Sequence, residues 1–217
     1  ERGKASNACE VVIATDDERI ATACEAFGAD VCMTRPEHLS GTERIAEVAD
    51  LYDWDDDRIV VNLQGDEPSM PSALINECAA LLFESDADIA TLASPFQDRQ
   101  DFESPNCVKV VRDRHDRAIY FSRATIPFPR DSGDVELAMQ TALHHHGIYA
   151  YRCGVLRQFV RSEPSPLEIS EQLEQLRALS LGMTISVGIP SSRPGVGVDV
   201  ADDIARAAAE LAATRPE

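Results

Sequence analysis

The strongest constraint on the fold is a regular alternation of short apolar runs and amphipathic segments in the first part of the chain. Four apolar runs are rich in β-branched residues, which predicts strands: CEVVIATDD, DVCMT, DRIVVNLQGDEP and ADIATLASPF. The segments between them carry apolar residues at every third or fourth position, which predicts helices. The order β, α, β, α, β, α, β is typical of an open parallel sheet with helices on both faces.

The pattern changes after about residue 105. NCVKVVRDRHDRAIYFSRATIPF predicts an antiparallel hairpin with its turn at RDRHDR, and HHHGIYAYR predicts another strand. CGVLRQFVRS predicts a short helix, SPLEISEQLEQLRALSLG a longer one that stops near Gly182, TISVGIP a strand and VADDIARAAAELAATR a closing helix. We therefore predict one α/β domain over residues 1–217, with parts at 1–104 and 105–217.

Composition narrows the classes of function. The net charge of −18 argues against nucleic-acid binding, and no apolar run approaches the ~20 residues that cross a bilayer. An anionic ligand would need local cations, a helix N-terminus or a metal ion to bind so acidic a chain. The six cysteines are widely spaced, which predicts buried free thiols in a cytoplasmic protein.

Two acidic positions that follow predicted strands are candidates for a metal site. In NLQGDEP, Gly65 permits a tight turn, and Asp66 and Glu67 follow it at the strand end. A carboxylate there can bind Mg²⁺, or it can simply cap the next helix. Asp199, in GVGVDVADDI, has the same two interpretations. Because ligands bind at the carboxyl ends of strands in open α/β sheets, Asp66 and Asp199 could share one Mg²⁺.

Several other segments offer polar groups for a ligand. Ser40, Gly41 and Thr42 open a helix whose free N–H groups suit an anionic or polar ligand, although a plain helix cap at Ser40 or Thr42 is the more common outcome for such a segment. Three consecutive histidines, at positions 144–146, alternate in direction on a strand, so we expect substrate recognition by one rather than a metal centre.

Two further segments carry charged residues that could bind a ligand. Glu171 and Glu174 are three residues apart, so they are predicted to share a helix face that is either solvated or able to accept hydrogen bonds from sugar hydroxyls. Arg123 and Arg130, in YFSRATIPFPR, could pair with a substrate carboxylate.

Taken together, the motifs resemble the 3-deoxy-manno-octulosonate cytidylyltransferase (CMP-KDO synthetase) family. The segments that carry the resemblance, in chain order, are VVIATDDERI, GADVCMTRPEHLSGTERIAEV, IVVNLQGDEP, VKVV, YFSRATIPF, HHGIYAYR, SPLEISEQLEQLRAL and PGVGVDVADDI. The resemblance implies a three-layer α/β/α sugar-nucleotide transferase fold with a mixed, mainly parallel sheet and an antiparallel dimerisation insertion. It also implies Mg²⁺-dependent transfer of CMP from CTP to the anomeric hydroxyl of KDO, for lipopolysaccharide synthesis.

The resemblance also implies a role for each matching residue. It places the catalytic Mg²⁺ on Asp66 and Asp199. It places residues 1–104 on the nucleotide side and residues 105–217 on the sugar side and at a homodimer contact through VKVV…YFSRATIP. The residues implied around the sugar acid are Gln64, Arg123, Arg130, His145, Tyr149, Glu174 and Gln175. Those implied around the cytosine and ribose are Arg35, His38, Ser40, Gly41 and Thr42.

The sequence departs from the family pattern in two places. The family opens with a strand and a basic loop, R-x-x-S-x-R-x-P-x-K, that has no match here, so we expect an N-terminally incomplete domain with weak CTP binding and little turnover. His146 stands where an aliphatic residue is usual and is expected to face away from His145. The alternatives are an enzyme for another sugar acid (an 8-amino KDO analogue or sialic acid), an inactive dimerising fragment, and a plain α/β metabolite-binding domain.

Overall fold

The computed structural model describes residues 1–131, 134–195, 197–198 and 201–213, and the predicted alternation of strands and helices is confirmed. The strands are β1 (Val12–Thr15), β2 (Asp30–Met33), β3 (Ile59–Leu63), β4 (Ile89–Pro95), β5 (Lys109–Arg112), β6 (Ala118–Ser122), β7 (Leu143–Arg152) and β8 (Ile185–Gly188). The helices are α1 (Glu18–Glu25), α2 (Gly41–Leu51), α3 (Ser72–Glu84), α4 (Arg99–Glu103), α5 (Val135–Thr141), α6 (Cys153–Val160), α7 (Pro166–Glu171), α8 (Gln175–Ser180) and α9 (Ala201–Ala213).

The sheet is mixed, as the family resemblance implies. β1 and β2 pair in parallel, and the larger sheet has the order β6-β5-β7-β4-β8, with β3 also paired to β7. β4 and β8 are parallel, whereas β7 is antiparallel to β3, β4 and β5. Strands β3, β4, β5 and β8 therefore point the same way, and their carboxyl ends meet at one edge of the sheet.

Helices cover both faces of the sheet, which gives three layers. On one face, α3 packs Leu74 and Leu82 against the β7 residues Ile148 and Ala150. On the other face, α6 and α8 pack against the alternate β7 residues, which include Tyr149. Because successive strand residues point to opposite faces, β7 contributes to the core on both faces of the sheet.

The predicted hairpin is confirmed as β5 and β6, and its turn reaches across to the last strand of the sheet. Val187 of β8 donates its N–H to the carbonyl oxygen of Asp116 (2.8 Å), and the Arg112 guanidinium donates to the Val187 carbonyl oxygen (3.0 Å). Asp116 has a positive φ of 59°, which an aspartate in a tight turn tolerates. The hairpin therefore supplies a hydrogen-bond partner for both backbone groups of Val187.

The single long helix predicted over SPLEISEQLEQLRALSLG is wrong, because the segment forms two short helices. α7 begins in a capping box between Ser165 and Glu168, and Gln172 then takes a left-handed conformation (φ 53°, ψ 48°) that ends it. The break allows Leu173 to enter the core. Glu171 and Glu174 consequently do not share a helix face. Helices α4 and α5 were not predicted either.

All six cysteines are free, as predicted, but only Cys32, Cys78 and Cys153 are buried. The prediction of burial is wrong for Cys9, which is exposed, and for Cys24 and Cys107, which are half-buried. Over the part of the chain that the structure describes, no helix has the length and apolar character needed to cross a membrane.

Candidate active site

The turn after β3 presents Asp66 at the carboxyl edge of the sheet. Helix α3 begins at Ser72 with Pro71 as its N-cap, so neither acidic residue of the turn caps it. The Val198 N–H donates to the Asp66 carbonyl oxygen at 2.8 Å. A β-carbon on Gly197 would lie 3.4 Å from Glu67 Oε1, so this loop lies directly on the turn. With the helix cap excluded, the exposed Asp66 carboxylate is available to a ligand.

Asp199, the second predicted Mg²⁺ ligand, lies outside the described residues. Within the described ranges, no group of three or more His, Cys, Asp or Glu residues could hold a metal ion. Mg²⁺ is commonly bound by one or two carboxylates, with water and substrate phosphates completing the octahedron. Asp66 has an exposed carboxylate, and its backbone carbonyl oxygen accepts from the N–H of Val198, the residue before position 199, so the turn fits such an ion.

Gln64 lies beside Asp66, over strand β7. A β-carbon added to Gly147 would lie 3.8 Å from Gln64 Cδ, an ordinary van der Waals distance, so the Gln64 amide lies directly over Gly147. Leu63, the preceding residue, pairs with Ile148. The fold therefore brings the predicted sugar-acid residue Gln64 next to the predicted metal ligand.

The predicted residue His145 is held by a hydroxyl on the neighbouring strand. The Thr91 hydroxyl donates to the Ile148 carbonyl oxygen (2.7 Å), so its oxygen accepts from His145 Nε2–H (3.0 Å). Phe121 packs edge-on against the imidazole, and burial lowers the pKa of His145 to about 3. The imidazole is therefore neutral near pH 7, with Nδ1 able to accept a hydrogen bond.

The neighbouring histidines follow the alternation expected of a strand. The rings of His144 and His146 lie 5.2 Å apart, His144 stacks on Phe96, and His146 Nε2 lies 2.9 Å from the Ser94 hydroxyl. His145 packs instead with Phe121 and Tyr149. His146 thus faces away from His145, as the sequence predicts.

Two buried tyrosines, Tyr149 and Tyr151, follow His145 along β7. The rings of Tyr149 and Tyr151 stack with their centres 5.9 Å apart, and burial raises the pKa of both phenols. The Glu174 carboxylate adds to both shifts, because its negative charge opposes a second negative charge nearby. Both phenols remain protonated and can donate hydrogen bonds.

Glu174, predicted to lie near the sugar acid, binds two residues that are predicted to lie near the nucleotide and are far from it in sequence. Its Oε1 accepts from the Ser40 hydroxyl (2.8 Å), and its Oε2 accepts from the Thr42 hydroxyl (2.6 Å). Ser40 also caps α2 by accepting from the Glu43 N–H (3.2 Å), so the cap interpretation of Ser40 is correct too. Gln175 follows as the buried first residue of α8.

The remaining predicted nucleotide residues form a separate group near the start of α2. Arg35 donates from its backbone N–H and from Nε to the Glu47 carboxylate, both at 3.0 Å, and His38 Nε2 also contacts that carboxylate. Gly41 is the first residue of α2, with open space where a β-carbon would stand. Within the described residues, Arg35 and His38 share Glu47 as their partner and form no hydrogen bond with the residues predicted around the sugar acid.

The two predicted arginines have different environments. Arg123 donates to the carbonyl oxygens of Glu171 (2.8 Å) and Pro105 (3.1 Å), and its backbone N–H donates to the Glu171 carboxylate (2.9 Å). Arg130 is exposed in the loop after β6, and no hydrogen bond or ion pair connects it to another described residue. Arg130 therefore has the freer guanidinium for a substrate carboxylate.

Sequence reasoning missed several polar residues that organise this region. Lys109 is fully buried and donates from Nζ to the carbonyl oxygens of Ser104, Cys107 and Arg123, at 2.6–2.7 Å. A lysine inside the apolar run VKVV was a signal of such a role. Thr91 carried no comparable signal, because its partners come from other strands.

Comparisons with known proteins show the family to which the chain belongs. The cytidylyltransferase family model matches residues 2–185, so the chain belongs to the cytidylyltransferase family of nucleotidyltransferases. A solved structure of CMP:2-keto-3-deoxy-manno-octonic acid synthetase complexed with CTP is 34% identical, with a TM-score of 0.87, and the match covers 99% of this chain and 86% of that one. The resemblance noted from the sequence is thereby confirmed.

Two further solved structures share the fold at low identity. One is a 4-diphosphocytidyl-2C-methyl-D-erythritol synthase, 12% identical, with a TM-score of 0.58 over 97% of this chain and 83% of that one. The other, the same type of synthase from Anaerococcus prevotii DSM 20548, is 15% identical, with a TM-score of 0.56 over 93% and 77%. At these identities the likeness supports the fold alone.

Proposed function

We propose that this cytidylyltransferase transfers CMP from CTP to the anomeric hydroxyl of KDO, forming CMP-KDO and pyrophosphate. The observation that carries the proposal is the likeness to a CTP-bound CMP:2-keto-3-deoxy-manno-octonic acid synthetase over nearly the whole chain. The polar row formed by Gln64, His145, Tyr149 and Glu174 supports it, because hydroxyl-rich ligands need several oriented donors and acceptors.

The side chains suit an acidic sugar. Arg130 would pair with the carboxylate of the sugar acid, the neutral His145 would accept a hydrogen bond from a sugar hydroxyl at Nδ1, and the Tyr149 phenol would donate one. Gln64 would orient the ligand beside Asp66. Holding the anomeric hydroxyl in line with the α-phosphorus converts an encounter of two ligands into a reaction within one complex.

We propose that Asp66 and Asp199 bind the Mg²⁺ that the reaction uses. When bound, the ion would neutralise charge that develops on the phosphate oxygens and orient the pyrophosphate leaving group. The exposed Asp66 carboxylate supports the assignment, because hard carboxylate oxygens are the ligands that Mg²⁺ prefers.

We further propose a homodimer through the β5–β6 hairpin, a cytoplasmic location and a role in lipopolysaccharide synthesis. β6 is an edge strand of the larger sheet, and Ile119 on it is 60% exposed, which supports a contact there. The six free thiols support a reducing compartment.

The test is pyrophosphate release from CTP with a panel of KDO, 8-amino KDO and sialic acid, with and without EDTA. We expect release to need a divalent ion and to be fastest with KDO. Calorimetric titration of each ligand runs alongside, so that binding is measured even where turnover is slow. Sialic acid preferred over KDO, or no binding of either CTP or KDO, would refute the proposal.

A further inference from the structure

The N-terminus of α2 and the junction between α7 and α8 meet at one carboxylate. Ser40 and Thr42 donate to different oxygens of Glu174, at 2.8 and 2.6 Å. The family resemblance places the two hydroxyl residues at the nucleotide and places Glu174 at the sugar. In the structure, the hydroxyls instead bind the sugar-side carboxylate.

The geometry fixes the orientation of the Glu174 carboxylate. A carboxylate oxygen has two lone pairs, so each oxygen that accepts from Ser40 or Thr42 can accept one more hydrogen bond. Two donors on two oxygens restrict rotation about the terminal torsion of the side chain, which is otherwise broad. Glu174 therefore presents its remaining lone pairs in one direction.

The Thr42 hydroxyl is buried where it binds Glu174. Thr42 is only 3% exposed, and the buried Tyr151 phenol also interacts with it. Glu174 itself is the N-cap residue of α8, two positions after the left-handed residue Gln172, and its side chain makes no cap hydrogen bond. The Glu174 carboxylate is therefore not used as a helix cap, and the Ser40 and Thr42 hydroxyls are the groups that orient it.

We propose that Ser40 and Thr42 are positioning residues for the sugar acid: they orient Glu174 to accept hydrogen bonds from sugar hydroxyls, and they do not contact the nucleotide. This inference rests on the proposed function. It assigns Ser40 and Thr42 to the residues that support sugar binding, instead of to those that contact the nucleotide. It also links α2 to the sugar site through a contact that spans more than 130 residues of sequence.

The test compares Thr42→Val, which keeps the shape but removes the hydroxyl, with Thr42→Ser, which keeps the hydroxyl. KDO and CTP affinities are measured by calorimetry on the full chain. We expect Thr42→Val to weaken KDO binding by about tenfold and to leave CTP affinity within about twofold. We expect Thr42→Ser to restore KDO affinity.

A double-mutant cycle shows whether Thr42 acts through Glu174. The double variant Thr42→Val with Glu174→Gln should bind KDO no more weakly than Glu174→Gln alone. For Ser40→Ala, which also loses a helix cap, the matched control is Asp98→Ala. Asp98 caps α4 by accepting from the Asp101 N–H at 2.8 Å, and its removal should not change KDO affinity.

The outcomes separate this inference from the proposed function. Loss of CTP affinity in Thr42→Val, unchanged KDO affinity, or additive losses in the double variant would overturn the inference and leave the proposed function standing. A wild-type chain that binds neither ligand would refute the proposed function, and the inference with it.

Discussion

The N–H of Val198 lies 2.8 Å from the carbonyl oxygen of Asp66 and donates to it, although 132 residues separate the two positions in sequence. This contact holds Gly197 and Val198 against the turn that follows β3. Position 199, the second proposed Mg²⁺ ligand, comes directly after it in the chain. The relationship supports a shared ion and gives the first prediction.

Asp66→Asn should reduce divalent-ion binding and lower kcat by on the order of 100-fold, because it removes a charged ligand of the proposed Mg²⁺, which neutralises the reacting phosphates. The free energy of unfolding should change by less than about 0.5 kcal/mol, since the side chain is exposed and caps no helix. Mn²⁺ binding followed by water proton relaxation is the measurement. The matched control is Asp55→Asn, at another exposed aspartate. Wild-type ion affinity in Asp66→Asn would contradict the assignment.

Arg123→Gln and Arg130→Gln should separate structural from ligand-binding roles. Arg123→Gln leaves the carbonyl oxygens of Pro105 and Glu171 without their donor, so it should lower the free energy of unfolding by about 2 kcal/mol. Arg130→Gln should change stability little and weaken KDO binding, because Arg130 is exposed and lacks a described partner. Urea unfolding and calorimetry measure the two effects. Equal stability losses in both variants would refute the distinction.

Acidification should destabilise the protein through the histidines of β7. Burial lowers the pKa of His145 and His146 to about 3 in the folded state, whereas the unfolded chain titrates near the ordinary value of 6.5. Below pH 6.5 the unfolded state binds more protons, so the free energy of unfolding falls as pH falls, by about 1 kcal/mol per pH unit for each histidine.

Urea unfolding at pH 7, 6 and 5 measures this dependence. His146→Gln, whose amide can still reach the Ser94 hydroxyl, should reduce the slope. His115→Gln, at an exposed position in the hairpin turn, should leave it unchanged. An identical slope in wild type and His146→Gln would show that this histidine does not contribute.

Ile119→Lys should weaken the proposed homodimer, because a lysine on an edge strand opposes pairing with another chain. Ile119 is 60% exposed on β6, at the edge of the larger sheet. The control is Phe83→Ser on α3, where the side chain is 74% exposed on a different element. Sedimentation velocity over a range of concentrations is the measurement. Two outcomes would count against the hairpin contact: a monomeric wild type, or an Ile119→Lys dimer of unchanged stability.

The strand and helix positions were largely predictable because they depend on local periodicity. β3 and α2 match their apolar patterns, and Ser40 caps α2 as its residue type suggests. The break at Gln172 was not predictable from the same pattern, since SPLEISEQLEQLRALSLG has helical spacing throughout. The left-handed residue is stable there because Leu173 packs in the core and Glu171 binds Ser122 and the Arg123 N–H.

The sequence by itself determined the α/β class, the family and the residue types that can bind a divalent ion and an acidic sugar, because these follow from local patterns and from motifs in fixed order. Only the tertiary structure decided that β7 lies antiparallel between β3 and β4, that Arg123 is bound to backbone carbonyls, and that Ser40 and Thr42 bind Glu174. These contacts join residues far apart in the chain, and short-range spacing carries no information about which distant groups the packed core brings together.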